Sequence, residues 1–284
     1  MFMSCFSFLA TPARCGARNA PALALLLAAT LLVVALPAHA GRSCESSPPT
    51  AQTIERGMEL ASRTAAALDA SGAQVVLLGR AGQDLRQYGL RYSHLGWAYK
   101  TDAGPWRVAH KLNACGTAVA DVYRQGLGEF FLDDLWRHEA VWAVPTPDVQ
   151  QRLRAVLGSS ERTLALHQRP YNMVSYAWGS RYQQSNQWAL ETLALAMEPA
   201  TITTRDQAQA WLQFKGYTPS VLKIGTLTRL GGRVGAANIA FDDHPNDQRY
   251  AGRIATSTVD SALAWLERAQ LAGPPVVLQL EQWR

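Results

Sequence analysis

Tyr92-Ser93-His94-Leu95-Gly96-Trp97-Ala98-Tyr99 and Trp106-Arg107-Val108-Ala109-His110-Lys111-Leu112 are the stretches that decide how this chain is read. Both are short and rich in the aromatic and branched residues that favour strands. Between them Asp102-Ala103-Gly104-Pro105 supplies turn chemistry, so the pair predicts a β-hairpin with one histidine on each strand.

Working outward, Thr53 to Leu68 has helical periodicity, with Ile54, Met58, Ala61, Ala65 and Leu68 on one face. Gln74 to Leu78 reads as a buried strand ended by Gly79, and Ala140 to Val144 as another. Thr117 to Gln125 is expected to be helical. Pro147, at the first helical position, starts a helix to Leu157 that Gly158 stops. Ser185 to Met197 is a strong helix, broken by Pro199. Thr204 caps a helix to Phe214, and Thr218-Pro219 starts one ended by Gly231-Gly232. Strands are expected at Ala237 to Phe241 and Arg253 to Ala255. Thr258 caps a last helix to Gln270, and Val276 to Leu280 closes the chain as a strand. Strands and helices mix without a regular βαβ rhythm, so the fold class is α+β.

The first 40 residues read as a secretory leader. Arg14 and Arg18 form a basic start, Ala22 to Leu36 an apolar run, and Ala38-His39-Ala40 a small-x-small cleavage site. The apolar run is about 15 residues, short of the ~20 that span a bilayer. The expectation is a periplasmic or secreted protein cleaved after Ala40, with 41–284 as a single domain extended from about 200. Membrane attachment would come only through an uncleaved leader. The leader holds two of the 27 basic residues and no acidic ones, so the remainder carries 25 basic against 22 acidic groups. No basic run is interleaved with aromatics, which excludes a nucleic-acid reading.

Cys5 and Cys15 leave with the leader, and Cys44 and Cys115 remain. In an oxidising compartment two cysteines most simply make one disulfide. Closing a loop of about 70 residues contributes roughly 4 kcal/mol in the chain-entropy model. The rival is Cys115 as a nucleophile, since Asn113-Ala114-Cys115-Gly116-Thr117 would follow a strand and open a helix.

Ser-His-x-Gly on one strand and Arg-Val-Ala-His on the next resemble the paired histidine strands of lecithin:retinol acyltransferase-like proteins, the circularly permuted branch of papain-like amidases and acyltransferases. Gln184-Ser185-Asn186-Gln187-Trp188 stands where that branch opens a helix with its cysteine. Over roughly 44–270 the chain is also similar to an uncharacterised family of exported bacterial proteins, domain of unknown function 2145. Asn186-Gln187-Trp188-Ala189-Leu190-Glu191 and Phe241-Asp242-Asp243-His244-Pro245-Asn246 carry that likeness. The papain-like resemblance implies a small antiparallel sheet packed on helices, with an α/β extension beyond it. It makes His94 the general base, His110 its orienter and Ser185 the nucleophile.

A serine in that place changes the chemistry. A thiol with a pKa of ~8.5 becomes a thiolate at a helix start with a modest push. A hydroxyl must instead be deprotonated during attack by a base at about 3 Å. The other reading of Ser185 is a helix N-cap. Two functions therefore stand open: an amidase, peptidase or acyltransferase acting on an amide or ester of the cell envelope, or an inactive module binding a peptide, glycan or lipid. Either would use a cleft lined by Trp97, Trp178, Tyr182, Asn186 and Trp188. His138 and His167 are expected in solvent. Asp242 to Asp247 has the groups for a hard cation but reads as a turn, and no cofactor or metal motif is present.

Overall fold

The chain threads one antiparallel sheet through two unlike layers of helix. The computed structural model describes residues 48–133 and 135–281, all within one compact unit spanning 39–284. Helix α1 (Ala51–Ala70) leads into strand β1 (Val75–Ala81), which is buried along its whole length. Strands β2 (His94–Lys100), β3 (Trp106–Asn113) and β4 (Ala120–Gly126) follow as a meander. Helix α2 (Leu127–Phe131) precedes β5 (Arg137–Ala143), and α3 (Pro147–Leu157) and α4 (Ser160–Leu164) precede the central helix α5 (Ser185–Met197). The rest of the chain runs α6 (Arg205–Phe214), β6 (Ser220–Lys223), α7 (Thr226–Gly235), α8 (Asn246–Tyr250), β7 (Arg253–Thr256), α9 (Val259–Arg268) and β8 (Val276–Gln279).

The main sheet has the order β4-β3-β2-β1-β5-β8, with every neighbouring pair antiparallel, and β6 and β7 form a separate ribbon. This is an α+β fold. The segment beyond residue 200 is tied in at its end, because β8 pairs with β5 from Glu139↔Gln279 to Trp142↔Val276.

Strand alternation sorts the core into two halves. On one face Val76, Leu78, Ala98, Trp106 and Val108 meet Leu60 and Leu68 of α1 and Phe130 and Phe131 of α2. On the other, Val75, Leu77, Leu95, Trp97 and Ala109 meet α3, α5 and α9 through Leu153, Trp188, Leu193 and Trp265. Helix α5 is buried from Ser185 to Ala196; its apolar residues enter the core, and its buried polar ones, among them Asn186, Gln187 and Glu191, are hydrogen-bonded within the protein. A third, smaller cluster of Leu222, Ile224, Phe241 and Ile254 gathers around the β6–β7 ribbon.

Three local expectations fail. Thr117 to Gln125 is not a helix: Gly116, at φ 71°, turns the chain, and residues from Ala120 on pair with β3 as the edge strand β4. Val119, Val122 and Tyr123 are strand formers, and edge exposure hides the alternation that would announce them. The segment after Thr218-Pro219 is first strand β6 and only then α7. Ala237 to Phe241 is a loop and turn. The leader and Cys44 lie outside the described residues.

Candidate functional site

A polar row crosses the first face of the sheet, one residue per strand. Arg80 on β1 stands directly opposite His94 on β2. His94 Nε2 lies 2.8 Å from His110 Nδ1 on β3, and His110 Nε2 lies 2.8 Å from Gln125 Oε1 on β4. Gln125 reaches His110 diagonally, since Tyr123 is the residue paired with it. Gly96 makes room for this contact: a Cβ there would stand 2.8 Å from His110 Cβ and from Val108 Cγ1. Phe130 closes the row from above, with ring centroids 5.2 Å from His110 and 5.9 Å from His94. The Arg80 guanidinium lies over the same ring, donates to the Phe130 carbonyl and pairs with Asp133.

These bonds assign the protons. The Gln125 oxygen accepts, so His110 carries its proton on Nε2. Its Nδ1 then accepts from His94 Nε2–H, and His94 Nδ1 is left as a lone pair. Burial first, and then the Arg80 charge, pushes both imidazoles down, His94 well below its usual range and His110 to about 4. Both rings are neutral at pH 7.

His94 lines a cleft of about 640 Å³ at the end of the sheet, shared with Gln184, Ser185, Asn186 and Tyr171. Its walls are apolar, with Tyr88, Leu90 and Val174 facing Leu222, Ile224 and Phe241 of the small cluster, and Thr256, Ser257 and Thr258 complete a hydroxyl-rich floor. Among the described lining residues there is no lysine or arginine, and the one carboxylate, Asp84, is paired with Arg86 at 2.7 Å.

Ser185 is the first residue of α5, and the N-cap is Gln184, whose side chain accepts from the Asn186 N–H. The N-cap reading of Ser185 is therefore replaced. The Ser185 hydroxyl donates to the Lys111 carbonyl at 2.7 Å. Asn186 bridges strand and loop, accepting from Leu95 N–H at 3.2 Å and donating to the Ser257 carbonyl at 3.2 Å. His94 and Ser185 share the cleft but not a face of the sheet. Leu95, not His94, packs into the core that holds α5, and His94 belongs with Arg80, His110 and Phe130 on the other side.

The expected aromatic lining is corrected by burial. Trp97 and Trp188 are fully buried in the core, and the Trp97 indole donates to the Ala189 carbonyl. Trp178 packs edge-on to Tyr217, and Tyr182 lies near Asp242 at 3.5 Å; neither lines the cleft. Cys115 sits in the exposed β3–β4 turn, away from the cleft and not at a helix start. His138 and His167, expected in solvent, are half-buried. Asp242 to Pro245 form a turn that runs into α8 at Asn246, and within it Asp243 accepts from Tyr176 N–H and holds the His244 ring at 3.0 Å. Among the described residues no three His, Cys, Asp or Glu are grouped to hold a metal.

Gln125 and Arg80 carry no local signal that marks them as site residues. Gln125 is hidden by reading its strand as a helix; in a strand, period two puts it on the His110 face. Arg80 follows Gly79, a residue type that reads as the end of a strand.

Comparison with curated proteins and with solved structures found no match. One family model matches residues 67–266, which is most of the chain. The chain belongs to that family, domain of unknown function 2145, described as an uncharacterised protein conserved in bacteria.

Proposed function

We propose that the cleft is a binding site for an uncharged ligand with an apolar body and a hydrogen-bonding head group, and that Ser185 is a fixed hydroxyl within it. The observation that carries this is the division of the sheet: the His94 ring lies on the α1–α2 side, while the Ser185 hydroxyl on α5 donates its hydrogen bond to Lys111 O. The volume is that of a small-molecule site, and apolar walls over a few convergent polar groups are what such sites present. The His94 Nδ1 lone pair is suited to accept from an amide or hydroxyl of the ligand. On this reading the protein has a permuted papain-like arrangement that keeps the cleft without the nucleophile–base pair. An exported protein with the Cys44–Cys115 bridge would draw its ligand from peptides, glycans or lipids of the cell envelope.

Thermal melting against an N-acyl amide, an acetylated peptide and a neutral oligosaccharide tests this. One of them should raise Tm, the rise should vanish in His94→Ala or Asn186→Ala, and it should persist in Ser185→Ala. No shift from any of the three, or a shift indifferent to His94, rejects the cleft as the site.

A second reading, serine-dependent amidase or acyl transfer, is favoured by one observation: a neutral imidazole with an open nitrogen and a helix-start serine line the same cleft. It requires the Ser185 hydroxyl to leave Lys111 O and meet His94 at about 3 Å when substrate binds.

A further inference from the structure

Helix α7 is amphipathic with its apolar face outward. Leu227, Leu230 and Val234 fall at i, i+3 and i+7, a single helical face, and are 84%, 61% and 82% exposed. The opposite side is turned inward: Thr228 and Gly232 line the cleft, and Arg229 donates to the Ile224 carbonyl at 2.7 Å. A surface helix of a globular protein ordinarily buries the stripe that this one displays.

The charge along this stretch of the chain points to what covers the helix. Residues 207–241 contain Lys215, Lys223, Arg229 and Arg233 and no aspartate or glutamate. Next to α7 the exposed Lys223 of β6 stands directly across from the exposed Arg253 of β7. Like charges paired across a ribbon repel, and an anionic surface lying against them removes that cost. A short helix with a leucine face, carrying Arg229 and Arg233 and no acidic residue and lying next to Lys223 and Arg253, has the composition of one that lies in the headgroup layer of an anionic membrane.

We infer that α7 docks this protein onto an anionic lipid surface, with Leu227, Leu230 and Val234 entering the acyl boundary and Lys223, Arg233 and Arg253 on lipid phosphates. The docking stands whether or not the cleft takes a ligand.

Co-sedimentation with vesicles tests it, using residues 41–284, which hold every described element and omit the apolar run at 22–36. The chain should pellet with phosphatidylglycerol–phosphatidylcholine vesicles and at least tenfold less with phosphatidylcholine alone, and added salt should release it. Leu227→Asn with Leu230→Asn and Val234→Asn should cut binding at least tenfold. Lys223→Gln with Arg233→Gln should weaken it roughly fivefold per charge. All these side chains are exposed, so an unchanged melting curve certifies the fold of each variant. Equal binding by the apolar triple variant, or none by the parent chain, overturns the inference. So does a dimer in sedimentation that the triple variant abolishes, because the face would then belong to a second copy.

Discussion

The two faces of the main sheet each bury a polar system, and the two are built on opposite principles. On the α5 side Lys111, Gln183, Glu191, Arg205 and Gln209 form a charged network that closes on itself. Arg205 grips Glu191 with two bonds of 2.8 and 3.0 Å, Gln209 donates to the same carboxylate at 2.9 Å, and Lys111 donates to Gln183 at 2.8 Å and to the Gln168 carbonyl. On the α1–α2 side Gln125, His110 and His94 form a chain of neutral groups, flanked by the ion pair of buried Arg80 with Asp133, that ends at a cleft. A buried polar group whose valences are all filled by the protein holds the fold together. One with a valence left facing a cleft is a place for something else to bind. Burial and polarity alone would have ranked Lys111 and Glu191 above His94; counting filled valences reverses the order.

That contrast can be broken at several points. The largest effect is expected in the closed network, where Arg205→Leu leaves Glu191 buried without its partner and should cost about 3–5 kcal/mol by urea denaturation. A loss under 1 kcal/mol would mean that water reaches the network. Next is the open row's response to acid. Unfolded imidazoles take up protons below about 6.5, while folded His110 does so only near 4, so acid favours the unfolded chain. Stability should therefore fall between those two values, by roughly 3 kcal/mol from His110 alone, and the fall should shrink in His110→Gln. Stability flat over that range would mean that the rings are solvated or already charged. Gly96→Ala should cost about 1–3 kcal/mol by overpacking against His110 and Val108, and should shift the His94 and His110 ring resonances. The smallest change is expected for Ser185→Ala, about 1 kcal/mol for the bond to Lys111 O.

Much of the fold was legible because its signals are local. Pro147 and Gly158 bracket α3, and Pro199 follows the end of α5, so both helices fall where sequence punctuation puts them. The histidine hairpin was read for the same reason. Strand β4 was not, since exposure at the edge of the sheet erases the alternation that would mark it as a strand. The site was legible in its residues and not in its sides. Spacing placed His94 and His110 together and Ser185 at a helix start, and all of these positions hold. Which face of the sheet α5 covers depends on packing by Trp188 and Leu193 against Leu95 and Trp97, and no local pattern around His94 encodes it. The same limit misled the reading of the tryptophans, whose size suits a ligand cleft and a core alike.

On the proposed reading the sheet keeps His94 and Ser185 from acting as base and nucleophile. Intact-protein mass spectrometry after exposure to a fluorophosphonate, a serine-directed acylation mimic, tests it most directly. The parent chain should show no adduct on Ser185, and its reaction should match that of Ser185→Ala. A stoichiometric adduct on Ser185, lost in Ser185→Ala and suppressed in His94→Ala, would contradict the claim and establish the two residues as a catalytic pair.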